Sequence, residues 1–120
     1  RLRQPELLDD ELASKLSTVL PRTSRVPDHW RPMHGDLSPW NLRRGRDGSF
    51  LIDWEDATWG PPRADRVYFS ITGHAALGGP APSWGPADDE AREYWRAVIT
   101  ARSGGDEDSA TQERLLTILG

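Results

Sequence analysis

The sequence predicts one α+β domain that is mainly helical, and three observations carry that expectation. Its 120 residues suffice for a single core. Apolar residues recur at helical spacing in separate segments, and two short extended segments flank a tight-turn sequence near the middle of the chain.

From Glu6 to Leu20, the residues Leu8, Leu12, Leu16, Val19 and Leu20 lie three and four apart, which draws a stripe along one helix face until Pro21 ends it. Residues 21–32 carry three prolines and no period, so they read as a loop. "NLRRGRDGSFLIDW", residues 41–54, reads as a small β-hairpin turning at Arg46-Asp47-Gly48. "WGPPRADRVYFSITG", residues 59–73, opens with prolines suited to a first helical turn, continues through Val67, Tyr68 and Phe69, and ends on Gly73 as a C-terminal cap. Residues 75–86, rich in Gly, Pro and Ala, read as a linker-like loop. From Pro86, the acids Asp88, Asp89 and Glu90 suit a helix start, and Ala91, Tyr94, Trp95, Val98 and Ile99 form the buried stripe behind them. The chain breaks at Gly104-Gly105 and restarts from Asp108 or Ser109 as a last helix with Leu115, Leu116, Ile118 and Leu119.

Composition narrows the function classes. A net charge of −4 argues against a general affinity for nucleic acid, whose phosphates demand a basic surface. No run of about 18 apolar residues is available to span a bilayer, and no signal peptide is evident, so a soluble, cytoplasmic protein is expected, with no membrane partner. The chain has no cysteine and therefore neither a disulfide nor a thiolate site. It opens on Arg1 rather than Met and reads as a piece of something longer.

The chemistry concentrates in "MHGDLSPWNLRRGRDGSFLIDWEDA", residues 33–57. Asp36 and Asn41 are separated by Leu37-Ser38-Pro39-Trp40, and Asp53 closes the second extended segment, so three oxygen-bearing side chains can converge. One carboxylate plus one amide suits Mg²⁺, a hard cation whose shell is completed by substrate phosphates and water. The other carboxylate is then free to face a nucleophile. An aspartate with an ordinary pKa of about 3.9 is a weak base. Phosphoryl transfer tolerates that, because its loose transition state needs the hydroxyl oriented more than deprotonated early.

"HGDLSPWN" and "LIDWE" together resemble the catalytic-loop and metal-binding motifs of the aminoglycoside phosphotransferase and choline kinase-like family, relatives of the protein kinases. The resemblance covers about residues 33–69 and implies the C-terminal lobe of the protein-kinase-like fold, with the small hairpin carrying the metal-binding aspartate. It implies Asp36 as catalytic base, Asn41 as a Mg²⁺ ligand, and Asp53 as the bridge between Mg²⁺ and the phosphates of ATP or GTP. It gives His34 a structural part in bracing the loop. Gly60-Pro61-Pro62 followed by Asp65 matches the family's later segment and implies an acid that hydrogen-bonds the catalytic loop. Many members carry His-Pro-Gly where this chain has Ser38-Pro39-Trp40, which leaves the small-molecule hydroxyl acceptor open. No Gly-rich phosphate loop is present, and Lys15, the only lysine, precedes the catalytic loop on an expected helix. The expectation is therefore one incomplete domain over residues 1–120 whose nucleotide-binding N-terminal lobe is missing, inactive alone and partnered by that lobe.

Plainer readings stand beside these. By itself an Asp-X4-Asn pair is more often a hydrogen-bonded turn. Glu55 and Asp56 can assist a metal, but exposed charge at a strand end accounts for them as well. His29 and His74 have no second ligand at metal spacing. Arg43, Arg44 and Arg46 read first as hairpin solvation, and Trp40, Trp54 and Trp59 as packing rather than stacking platforms. The acids at 88–93 and 106–108 could draw a cationic acceptor, although helix-start charge explains most of them. Two rival functions remain: a degenerate kinase-like module that binds without turnover, and a metal-dependent phosphohydrolase using the same oxygens.

Overall fold

The computed structural model describes residues 14, 17–46, 48–102 and 109–120. Of the amphipathic helix expected over residues 6–20, residues 14 and 17–20 are described. Residue 14 is helical, but residues 17–20 form turns and a bend, so the helix does not run on to Pro21 as expected. The rest of the stripe and Lys15 lie outside the described residues.

Two short antiparallel ladders come first. Strand β1 (Arg31–Met33) pairs with β4 (Thr58–Gly60) in the register Arg31↔Gly60, Pro32↔Trp59 and Met33↔Thr58. Strand β2 (Leu42–Gly45) pairs with β3 (Gly48–Leu51), from Leu42↔Leu51 to Gly45↔Gly48. The second ladder is the expected hairpin, except that it ends at Leu51 rather than at Asp53. The first is new: residues 31 and 32 were expected in a loop, and they form a strand because Pro32 needs no ladder donor at the edge of a two-stranded sheet. The consequence is positional. Residues 34–41 and 52–57 face each other between two clamps, one ladder at each end.

Three helices follow among the described residues: α1 (Ala64–Leu77), α2 (Asp89–Arg102) and α3 (Ser109–Leu119). Helix α1 runs past Gly73, where the sequence suggested an end, and stops at Gly78, whose left-handed φ of 66° lets its N–H return to the Gly73 carbonyl. Residues 75–77, expected in the loop, are helical because Ala75 packs against the core and carries the helix onward. A short 3-10 turn, Pro86–Asp88, leads into α2.

Each helix presents one face to a common core. Ala64, Val67, Tyr68 and Ile71 of α1 meet Ala91, Trp95 and Ile99 of α2 and Leu115 and Leu119 of α3, with Met33 entering from β1. Spacings of three and four make this stripe on α1, and spacings of four make it on α2 and α3. Trp95 is its centre: its ring lies 4.4 Å from that of Tyr68, and its indole N–H donates to the Ala64 carbonyl at 2.7 Å. The polar end of the largest buried side chain is thereby satisfied. No helix among the described residues is long and apolar enough to cross a membrane.

Candidate functional site

The loop leaving β1 is fixed from below by α1. Asp65, in the first turn of that helix and 2% exposed, accepts the His34 N–H at 2.7 Å and the Gly35 N–H at 3.1 Å. Burial pushes the Asp65 carboxyl above its usual range, and the two backbone donors pull against that shift. His34 is fully buried, and both of its ring nitrogens are assigned by their partners. The Ile52 carbonyl can only accept, so Nε2 donates to it at 2.8 Å; Nδ1 then accepts the Asp36 N–H at 3.1 Å. One imidazole thus stitches residues 36 and 52 across the gap between the two halves. Trp54 covers the ring, with centroids 4.6 Å apart.

Gly35 makes the bend possible. Its φ is +87°, and a Cβ there would run into the backbone carbonyl of Asp56. Beyond it the chain turns through a 3-10 turn, Pro39–Asn41, which Pro39 starts with a φ already suited to helix. That turn brings Asn41 back onto Asp36. The Asn41 amide nitrogen donates to the Asp36 carbonyl at 2.8 Å and to its carboxylate Oδ2 at 3.0 Å. Neither bond engages the amide oxygen, the atom a hard cation takes. Asp36 is half-buried, and this burial, aided by the charge of Asp56, raises its carboxyl above the ordinary value against the lowering influence of Asn41, His34 and Arg102.

Asp53 approaches through the backbone. The Ile52 N–H donates to the Asn41 carbonyl at 2.9 Å, which extends the hairpin ladder by one bond and sets Asp53 immediately after it. Asp53 has a φ of 59°, a left-handed conformation that aspartate tolerates, and its side chain is exposed. The chain then reverses through Glu55 and Asp56, with the Ala57 N–H returning to the Trp54 carbonyl at 3.0 Å. Asp36 and Asn41 are therefore in direct contact, while Asp53 is tied to them through the main chain. Among the described residues no three His, Asp or Glu side chains cluster to hold a cation unaided. An amide and one carboxylate fit Mg²⁺ only with phosphate and water oxygens filling the shell.

Two residues join the site without a local signal in the sequence. Tyr68, on α1, has its hydroxyl pushed up to about 12 by burial, with the negative Asp36 adding to the shift and Arg102 opposing it. Arg102, at the end of α2, is felt in turn by the Asp36 carboxyl. Both come from helices far along the chain, so only the folded packing of α1 and α2 reveals them.

The remaining candidates have other occupations. His29 lies 2.8 Å from Glu90, which also accepts the Trp30 indole N–H at 3.1 Å. The His74 Nδ1 donates to the Gly79 carbonyl at 2.7 Å. Asp88 accepts the Arg63 guanidinium at 2.6 Å and the Gly85 N–H at 2.9 Å; burial works against its ionisation, yet these donors hold its carboxyl below the usual range. Arg43 donates to the Trp40 carbonyl, and the Trp59 indole to the Pro21 carbonyl. Trp40 is 45% exposed. The acidic run at 106–108 lies outside the described residues.

A family model described as the phosphotransferase enzyme family, APH, matches residues 1–99. The chain is 29% identical over 62 residues to a protein of Mycoplasma capricolum subsp. capricolum named "Protein LicA homolog", a match covering 52% of this chain and 26% of that relative. The matched segment thus spans about a quarter of the relative's length. No solved structure matches the chain.

Proposed function

The chain belongs to the phosphotransferase enzyme family, and from that premise we propose that it forms the C-terminal, acceptor-side lobe of a small-molecule O-phosphotransferase using ATP or GTP with Mg²⁺. The observation that carries the reading is the clamp of the Asn41 amide nitrogen on the Asp36 carboxylate at 3.0 Å. It fixes a carboxylate at a half-buried position and turns the amide oxygen the other way. In this reading Asp36 orients the acceptor hydroxyl. As that oxygen bonds to the γ-phosphorus and the bond to the nucleoside diphosphate breaks, Asp36 receives the hydroxyl proton. Its raised pKa makes it a better base than a solvated aspartate, since proton affinity rises toward the operating pH.

Asn41 Oδ1 and Asp53 would hold Mg²⁺, which when bound neutralises charge on the transferring phosphoryl group. Asp65 and His34 act as positioning residues through their bonds to the loop backbone. The other side of the nucleotide is left to a Gly-rich lobe, of which the 120 residues contain no motif. Held from one side only, Mg-ATP or Mg-GTP should bind the isolated chain no tighter than about 100 μM, near −5.5 kcal/mol. An NMR titration of the chain with each Mg-nucleotide tests this. Shifts should concentrate at Asn41 and residues 52–54 and disappear in Asp53→Asn; shifts elsewhere, unchanged by that substitution, would defeat the assignment.

A further inference from the structure

A cavity of about 310 Å³ opens where α1, α2 and α3 meet the Pro39–Asn41 turn. That volume is at the lower end of small-molecule sites. Trp40 and Tyr68 line it beside Ile99 and Leu115, which contribute apolar surface, and Arg102 from the C-terminal end of α2 and Arg114 from the middle of α3 add two guanidinium groups. Among the described residues the lining contains no aspartate or glutamate. Tyr68 interacts with both the Asp36 carboxylate and the Arg102 guanidinium, so the cavity and the candidate base share a boundary.

Two guanidinium groups with five donors each, placed around a partly apolar hollow, recognise an anion and disfavour a cation. We infer that this cavity holds the acceptor, and that the acceptor is a small hydroxy compound bearing an anionic group, carboxylate or phosphate, which Arg102 and Arg114 bind while its hydroxyl faces Asp36. The inference rests on the phosphotransferase reading for the hydroxyl and on the cavity lining for the anion. Trp40 supplies the apolar side of the selection: nearly half-exposed at the rim, it can cover the carbon skeleton of a bound molecule.

The charge of the acceptor can be read by binding alone. Three probes are titrated into the 120-residue chain by NMR: glycerate, glycerol 3-phosphate and choline, each carrying a hydroxyl but differing in charge. At least one of the two anions should bind, shifting the Trp40 indole signal, and whichever binds more tightly identifies the carboxylate or the phosphate as the recognised group. Arg102→Gln and Arg114→Gln should each weaken that binding about 10-fold, the worth of a charge-assisted contact. Arg114 is exposed, so its variant should keep the wild-type spectrum even if Arg102→Gln disturbs packing.

Preferential binding of choline, no binding of either anion, or anion binding indifferent to both arginines would overturn the inference. So would choline binding that disappears when Asp106, Glu107 and Asp108 are together replaced by their amides, because the acidic run would then select the ligand. Arginine-dependent anion binding in a chain whose Mg-nucleotide shifts ignore Asp53→Asn would sustain the anion site and count against the phosphotransferase reading instead.

Discussion

Asp65 in the first turn of α1 accepts the backbone N–H of His34 at 2.7 Å, so the helix and the loop that carries Asp36 are held as one piece. Gly35 donates to the other oxygen of the same carboxylate. Asp65→Asn keeps one acceptor but turns an amide N–H₂ toward the second donor, which should cost about 1–3 kcal/mol. The pH dependence has a definite sign. A carboxyl with a folded pKa above its unfolded value binds its proton more tightly in the folded chain. Its contribution is fully present below the unfolded value of about 3.9 and declines as pH rises through the raised folded value. The deficit of Asp65→Asn against wild type should therefore be larger near pH 4 than at pH 7. Urea unfolding at both pH values measures it, and a deficit that shrinks in acid would contradict the account.

Asp88 should behave in the opposite way. It accepts from Arg63 and Gly85, and its carboxyl is held below the usual range. A lowered folded pKa means stability present above the unfolded value and lost as pH falls through the folded one. Asp88→Asn should cost about 1–3 kcal/mol at pH 7 and progressively less in acid. Unfolding curves for the two variants, followed side by side, should cross in sign of slope; parallel pH profiles would refute the assigned hydrogen bonds.

Two glycines with positive φ separate strain from collision. Gly35 has a φ of +87° with the Asp56 carbonyl where a Cβ would sit, whereas Gly78 has a φ of +66° with open space around it. Gly78→Ala should cost only the left-handed penalty of about 1–2 kcal/mol. Gly35→Ala should cost more than that, and should displace residues 34–36 or 56 to relieve the collision. Equal destabilisation of the two variants, with unshifted amide resonances at Asp36, would show that the loop does not approach Asp56 as described.

Much of this was legible in the sequence where the cause is local. The stripe Ala91, Trp95 and Ile99 follows from helical periodicity, and Asp36 meets Asn41 because one short turn separates them. Periodicity failed where too few residues carry it: β1 and β4 have three residues each, barely more than one strand period of two, and one contains Pro32. It failed again at Gly73, which costs about 1 kcal/mol inside a helix yet does not end α1, since Ala75 beyond it packs against the core. Tyr68 and Arg102 were invisible as site residues because their nearness to Asp36 exists only once α1 and α2 have packed.

The central claim is that Asp36 orients the acceptor hydroxyl and takes its proton, and steady-state phosphotransfer by the polypeptide carrying this lobe together with a nucleotide-gripping lobe tests it most directly. Asp36→Asn preserves size and the bond to Asn41 as a polar contact, but removes the charge. Turnover should fall by about 10² to 10⁴ while the KM for Mg-nucleotide stays near wild type. Asp53→Asn, measured alongside, should raise the KM for Mg-nucleotide as well. An Asp36→Asn protein that transfers phosphate at a near wild-type rate would contradict the account.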